Sequence, residues 1–94
     1  MAIQSFRHKG LKRQFEDGTV RGVPAQFAER LGDMLAALDA AHSLAEVGLF
    51  PGWRLHALKG NLHGFSSLTV SGNWRLIFRF ENGDVFDVDL VDYH

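Results

Sequence analysis

The sequence predicts an α+β fold in which two helices cover one face of a mainly antiparallel sheet. Three observations predict it. The C-terminal part alternates with the period of a strand, Trp74, Leu76, Phe78 and Phe80 pointing one way and Asn73, Arg75, Ile77 and Arg79 the other. The middle carries a helical stripe, Phe27, Leu31, Met34, Leu35 and Leu38. The strands follow one another through short turns, which implies antiparallel pairing, and two helices cannot bury their stripes alone. They therefore pack across one face of a sheet of about four C-terminal strands, joined by a short N-terminal strand, and leave the other face open.

Residues 2–6 are the expected first strand, with Ile3 and Phe6 as candidates for burial. Residues 7–17 are expected to form a short helix, because Leu11 and Phe15 lie four apart on one face and Gly18 suits a left-handed cap. Lys9, Lys12, Arg13 and Glu16 fall on its wet side and read as a solvated face. Residues 19–23 form a loop, and Pro24 opens the main helix where a missing amide costs nothing. Glu29, Arg30, Asp33 and Asp39 are expected to face water, and alanines 36, 37, 40 and 41 to extend the helix. Ser43 and Glu46 have the spacing of a capping box and suggest one more helical turn.

Residues 54–59 are the expected second strand, with Leu55 and Ala57 on one face and Arg54, His56 and Leu58 on the other. A turn at 60–64 leads to a third strand at 66–70, and Ser71-Gly72 turns into the final hairpin. There Asn82-Gly83 suggests a two-residue loop, but that register sets Phe78 against Asp87 and Leu76 against Asp89. A three-residue loop, Glu81-Asn82-Gly83 with a left-handed Gly83, sets Phe78 against Phe86, Leu76 against Val88 and Trp74 against Leu90. A one-residue slip exchanges the faces, so the apolar match favours the longer loop. The outer face then carries Arg75, Arg79, Asp87, Asp89 and Tyr93.

Composition narrows the function. Ninety-four residues suit one domain with a modest core. Ten Lys and Arg against eleven Asp and Glu give a net charge of −1. A nearly neutral chain lacks the summed phosphate contacts of a tight free nucleic-acid binder. Yet the charge is uneven. Arg7, Lys9, Lys12, Arg13, Arg21 and Arg30 crowd the first third, and residues 81–94 hold five acids and no Lys or Arg. A basic front of this kind touches phosphates, with RNA held mainly by something else. The absence of cysteine excludes disulfides and thiolate zinc sites. No apolar run reaches the ~18 residues of a membrane span, and no secretory leader is apparent, so a cytoplasmic protein without a membrane partner is expected.

The chemistry-bearing residues gather at the end. Asp92, Tyr93 and His94 set an acid, a phenol and an imidazole side by side. Arg75 and Tyr93 share the open face, His94 lies at its edge, and His56 belongs there if the strand order permits. Arg75 has two readings, an anion contact or a partner for Asp89 across the hairpin. His8, His42 and His63 have no convergent spacing and read as surface residues. No His-x-x-x-His pair occurs, so neither a metal nor a cofactor is expected.

These residues also carry a resemblance. The order Arg54-Leu55-His56-Ala57-Leu58-Lys59-Gly60, then Asn73-Trp74-Arg75-Leu76, then Asp92-Tyr93-His94 resembles the HigB-type toxins of bacterial toxin–antitoxin pairs, within the RelE/ParE superfamily. Phe6-Arg7-His8-Lys9-Gly10-Leu11 and Gly22-Val23-Pro24-Ala25-Gln26 are similar to that group as well. Each motif alone is weak; together, in order, they span residues 1–94 as one RelE/HigB-like toxin domain.

The resemblance implies a RelE-like fold and a toxin that enters the A site of the 70S ribosome and cuts mRNA there. It implies a helix-turn-helix, HigA-like antitoxin, a heterotetramer in the complex, and operator DNA bound only through the antitoxin. The family's active-site positions fall on His56, Lys59, Arg75, Asp92, Tyr93 and His94. Many relatives carry a further arginine just before the Asn-Trp-Arg motif, where this chain has Thr69, Ser71 and Gly72, which leaves one phosphate contact missing or supplied elsewhere.

RNA cleavage of this kind needs a base for the 2′-hydroxyl, an acid for the leaving 5′-oxygen and a cation for the phosphorane. His94 and His56 are expected to share the acid and base roles, with Arg75 and Lys59 on the scissile phosphate. Tyr93 stacks on a base or orients the phosphate, and Asp92 orients an imidazole. Two other readings stand beside the nuclease. One is a non-enzymatic, ParE-like inhibitor of DNA gyrase, a branch that lacks the terminal Asp-Tyr-His set. The other is a catalytically silent module that acts only through its protein partner.

Overall fold

A computed structural model of the chain describes residues 1–93. Its elements are α1 (Lys9–Asp17), α2 (Ala28–Ala40), α3 (Leu44–Val47) and strands β1 (His56–Ala57), β2 (Phe65–Ser71), β3 (Trp74–Glu81) and β4 (Asp84–Asp92). The strands form one antiparallel sheet in the order β1-β2-β3-β4. The result is the α+β arrangement that the strand and helix periods predict.

Helix α1 begins two residues later than expected, because His8 caps it: its Nδ1 accepts the Leu11 N–H at 3.1 Å. His8 is thus a structural residue rather than a free surface one. Gly18 ends the helix at φ 74°, its N–H donating to the Gln14 carbonyl at 3.0 Å. The start of α1 touches the chain before α2, backbone to backbone. A Cβ on Gly10 would lie 2.1 Å from the Gly22 carbonyl oxygen, so no side chain fits there.

Pro24 caps a 3₁₀ turn, Ala25–Phe27, that runs into α2. The expected stripe is the core: Phe27, Leu31, Met34, Leu35 and Leu38 are all buried. It packs against Leu68, Leu76, Phe78, Val85, Val88 and Leu90 from one face of the sheet. Ser43 occupies the cap position of α3 without a side-chain bond. Glu46 reaches one residue further back instead, accepting the His42 N–H at 3.0 Å.

Two expectations change in the sheet. The N-terminal segment is not a strand but two isolated parallel bridges to β4, Ile3 with Val85 and Phe6 with Val88. Between them the Asp87 N–H donates to the Ser5 hydroxyl at 2.9 Å, so a side chain takes up a bond in a disturbed stretch of β4.

The hairpin uses the two-residue loop after all. Glu81 pairs with Asp84, and Asn82 (φ 52°) and Gly83 (φ 84°) make the turn. The pairing shifts inside the strands instead, between Ile77 and Arg79. Opposite Phe78, β4 carries an extra residue, and Asp87 takes a left-handed φ of 55°. This bulge reverses the parity of β4: Val85 faces the core before it, and Val88 and Leu90 after it. The acids leave the apolar face mid-strand rather than at the turn.

The open face of the sheet is not bare. Leu58, Phe65 and Ile77 form a second, smaller cluster there, with Leu62 and Val91 against it. Among the described residues no helix is long and apolar enough to cross a membrane.

A candidate RNA-binding cleft on the open face

The second strand is shorter than expected, and its shortness shapes the site. Trp53 still joins the sheet, its carbonyl accepting the Thr69 N–H at 2.7 Å. The next regular pair is His56 with Ser67. One extra residue is therefore inserted between these points, and Arg54 takes the left-handed conformation at φ 51°. After Ala57 the chain leaves the sheet, and Gly60–Leu62 forms a 3₁₀ turn.

Register then brings side chains from four places to one side. His56 pairs with Ser67, Ser67 with Ile77, and Thr69 with Arg75, so these residues share the face away from the helices. Beyond the bulge Tyr93 has the same parity as Asp89 and Val91, and its N–H donates to the Asn73 carbonyl at 2.7 Å. That bond ties the end of β4 to the turn before Arg75.

The outcome is a cleft of about 320 Å³ lined by Arg54, Leu55, His56, Leu58, Ser67, Thr69, Arg75 and Tyr93. No carboxylate is among the described lining residues, and two are arginines. The floor is apolar where Leu58 meets Phe65 and Ile77. Such a lining suits an anion chemically, with an aromatic ring and an imidazole beside it.

Arg75 is held by its own turn. Its Nη1 donates to the Gly72 carbonyl at 2.6 Å and to the Trp74 carbonyl at 3.1 Å. Behind it Trp74 packs against Phe27 of the helix layer, ring centres 6.1 Å apart. Among the described residues Arg75 makes no ion pair, so the cross-hairpin partnership with Asp89 does not form. Asp89 instead accepts the Leu90 N–H at 2.9 Å. The remaining guanidinium donors of Arg75 are available to a ligand.

Asp87 of the same hairpin does pair, away from the cleft. Its Oδ2 accepts from Arg79 Nε at 2.7 Å, and Arg79 Nη1 also reaches Glu81 at 2.5 Å. The hydrogen bond from Arg79 holds the Asp87 carboxyl below the usual carboxylate range. Bonds to Asp87 and Glu81 push the Arg79 guanidinium up in turn.

Of the sequence-derived site residues, the cleft unites His56, Arg75 and Tyr93. Lys59 is exposed at the start of the 3₁₀ turn, three residues past His56 and outside the lining. Asp92 ends β4 opposite Trp74, on the other parity from Tyr93. His94 lies outside the described residues. His42 and His63 are exposed, as expected. The alternation of residues 54–59 set Arg54 beside His56, but nothing in the pattern marked it as part of a site. Its left-handed bend is invisible to periodicity.

Comparison with known proteins agrees with the motifs. Residues 4–94 match the family described as the RelE-like toxin of type II toxin–antitoxin system HigB. The chain is 47% identical over 92 residues to Endoribonuclease HigB of Proteus vulgaris, covering 98% of this chain and 99% of that protein. It is 36% identical over 84 residues to Toxin HigB-1 of Vibrio cholerae serotype O1, covering 88% of this chain and 87% of that protein. The chain belongs to the RelE-like HigB toxin family of type II toxin–antitoxin systems.

Proposed function

We propose that this toxin is an endoribonuclease that cuts mRNA in the ribosomal A site by metal-free general acid–base catalysis. The observation that carries the reading is the convergence of His56, Arg75 and Tyr93 on one cleft with no carboxylate among its described lining residues. The similarity to Endoribonuclease HigB of Proteus vulgaris supports the reaction class.

In this reading the 2′-oxygen bonds to phosphorus while the bond from phosphorus to the 5′-oxygen breaks. One imidazole, of His56 or His94, takes the 2′-hydroxyl proton, and the other gives a proton to the leaving 5′-oxygen. Arg75 offsets the charge that builds on the phosphorane oxygens, its guanidinium already fixed by two carbonyls. Tyr93 offers a ring face to an unpaired base. Asp92 supports an imidazole, and Lys59 adds positive charge beside the strand.

The near-neutral chain supports a role for the ribosome, since −1 net charge supplies little affinity for free RNA. A type II toxin has an antitoxin partner. We assign a helix-turn-helix, HigA-like antitoxin, a heterotetrameric complex, and operator binding through the antitoxin alone. The protein acts in the cytoplasm, where ribosomes are.

A primer-extension map of mRNA in a purified translation system, with and without ribosomes, tests this. Cuts within A-site codons that require ribosomes and vanish with His94→Ala are expected. Intact mRNA under every condition contradicts the reading, and gyrase inhibition then becomes the competing assay.

A further inference from the structure

We infer that Arg54 is a second phosphate contact of the cleft, gripping the RNA strand beside the cut while Arg75 holds the scissile phosphate. The inference rests on the nuclease reading and deepens it.

Three observations converge on Arg54. It is one of two arginines lining a cleft that has no carboxylate among its described lining residues, and it makes no ion pair among the described residues. It is exposed, whereas Arg75 is half-buried. And its backbone is left-handed, φ 51°, which is uncommon for a long L side chain and favours glycine, asparagine or aspartate. An unfavourable conformation persists where its surroundings enforce it, and such positions cluster at ligand clamps.

The enforcement is visible. Arg30 of α2 donates from one nitrogen to the Gly52 carbonyl at 3.2 Å and to the Thr69 carbonyl at 3.0 Å. It thereby staples the bend to β2 from behind. Trp53, next to Arg54, is buried and stacks on Phe50, ring centres 4.1 Å apart and 10° from parallel. The Trp53 carbonyl bonds Thr69 on one side, and His56 pairs with Ser67 on the other. Arg54 and Leu55 span two fixed points where β2 has one residue, Leu68, and the left-handed bend at Arg54 leaves its side chain lining the cleft. A glycine would make the same bend without strain, so the guanidinium is what the position gains from arginine.

A flanking phosphate contact helps substrate and transition state alike, so its loss raises KM more than it lowers kcat. The test uses the full-length toxin on ribosomes programmed with mRNA, with cleavage kinetics and thermal unfolding measured for wild type, Arg54→Ala, Arg54→Gly and Arg54→Lys. The expected result is a rise in KM of roughly tenfold or more for Ala and Gly, the size of one lost charge-assisted hydrogen bond. Lys should recover most of the loss. Gly should unfold at a temperature equal to or above that of the wild type, because the bend loses its strain. Wild-type cleavage with unchanged kinetics in all three variants overturns the role of Arg54 and leaves the nuclease reading standing. A Gly variant that loses activity only as it loses stability also overturns it, since that marks a structural residue. No cleavage by the wild type overturns the nuclease reading, and this inference with it.

Discussion

The two faces of the sheet are built for different ends, and β3 shows it residue by residue. Leu76 and Phe78 are fully buried against the helix layer. Ile77, between them, is almost as buried but joins a cluster of only three core residues. Arg75, two residues before Ile77 on the same face, opens onto the cleft. Burying a large apolar side chain contributes about 1.5–3 kcal/mol, so the helix-covered face carries most of the stability. The open face keeps a small apolar floor of Leu58, Phe65 and Ile77. Its remaining residues include the arginines, imidazole and phenol that line the cleft.

The sharpest break of that contrast is Phe78→Ala beside Ile77→Ala. Loss of Phe78 from the main core should cost about 3–5 kcal/mol, and loss of Ile77 near 2 kcal/mol, the low end for such a truncation. Urea unfolding at neutral pH checks both. Equal costs would mean that the open face is a second core rather than a thin floor.

Gly10→Ala is next. The added methyl would collide with the Gly22 carbonyl oxygen, so α1 must move off the loop before α2. A loss of about 1–3 kcal/mol is expected, the usual range for overpacking. The cleft lies on the other face, so cleavage measured well below the melting temperature should persist.

A smaller effect is expected from Asp87→Asn. Arg79 depresses the folded-state pKa of Asp87 below its ordinary 3.8. A depressed carboxyl contributes stability above its unfolded pKa and loses it as pH falls through the folded value. Wild type should therefore exceed the variant in stability at neutral pH, and the gap should close below about pH 4. Denaturant melts at pH 7 and pH 3 read this directly. A gap that stays constant across that range would show that the carboxylate is not what stabilises the bulge.

Much of this was legible in the sequence, and the misses have physical causes. The helical stripe of α2 and the alternation of β3 are strong periodic signals, and both core faces follow from them. The hairpin shows the limit. Asn82-Gly83 carries the correct local signal, but matching apolar residues across rigid strands demands a slip, which pairing alone puts at the turn. The protein places it at Asp87, whose short polar side chain tolerates a left-handed backbone and bonds Arg79. Pairing rules do not locate a bulge inside a strand. The site divides in the same way. Alternation sets Arg75 and Tyr93 on one face, the resemblance adds His56, and the strand order brings His56 to them. Arg54 is not legible in this way, because its position depends on a bend enforced by Arg30 from a distant helix. Arg30 itself looked like a solvent-facing helix residue, yet it is partly buried and spans two carbonyls of the sheet.

The most direct test of the division between the faces is His56→Ala, followed by unfolding and by mRNA cleavage on ribosomes in parallel. The His56 side chain is exposed, and its strand pairing uses only the backbone. Stability should stay within about 0.5 kcal/mol of the wild type. Cleavage should fall by roughly 100-fold or more, the scale of a lost general acid or base. Unchanged cleavage at unchanged stability would contradict the assignment of catalysis to the open face.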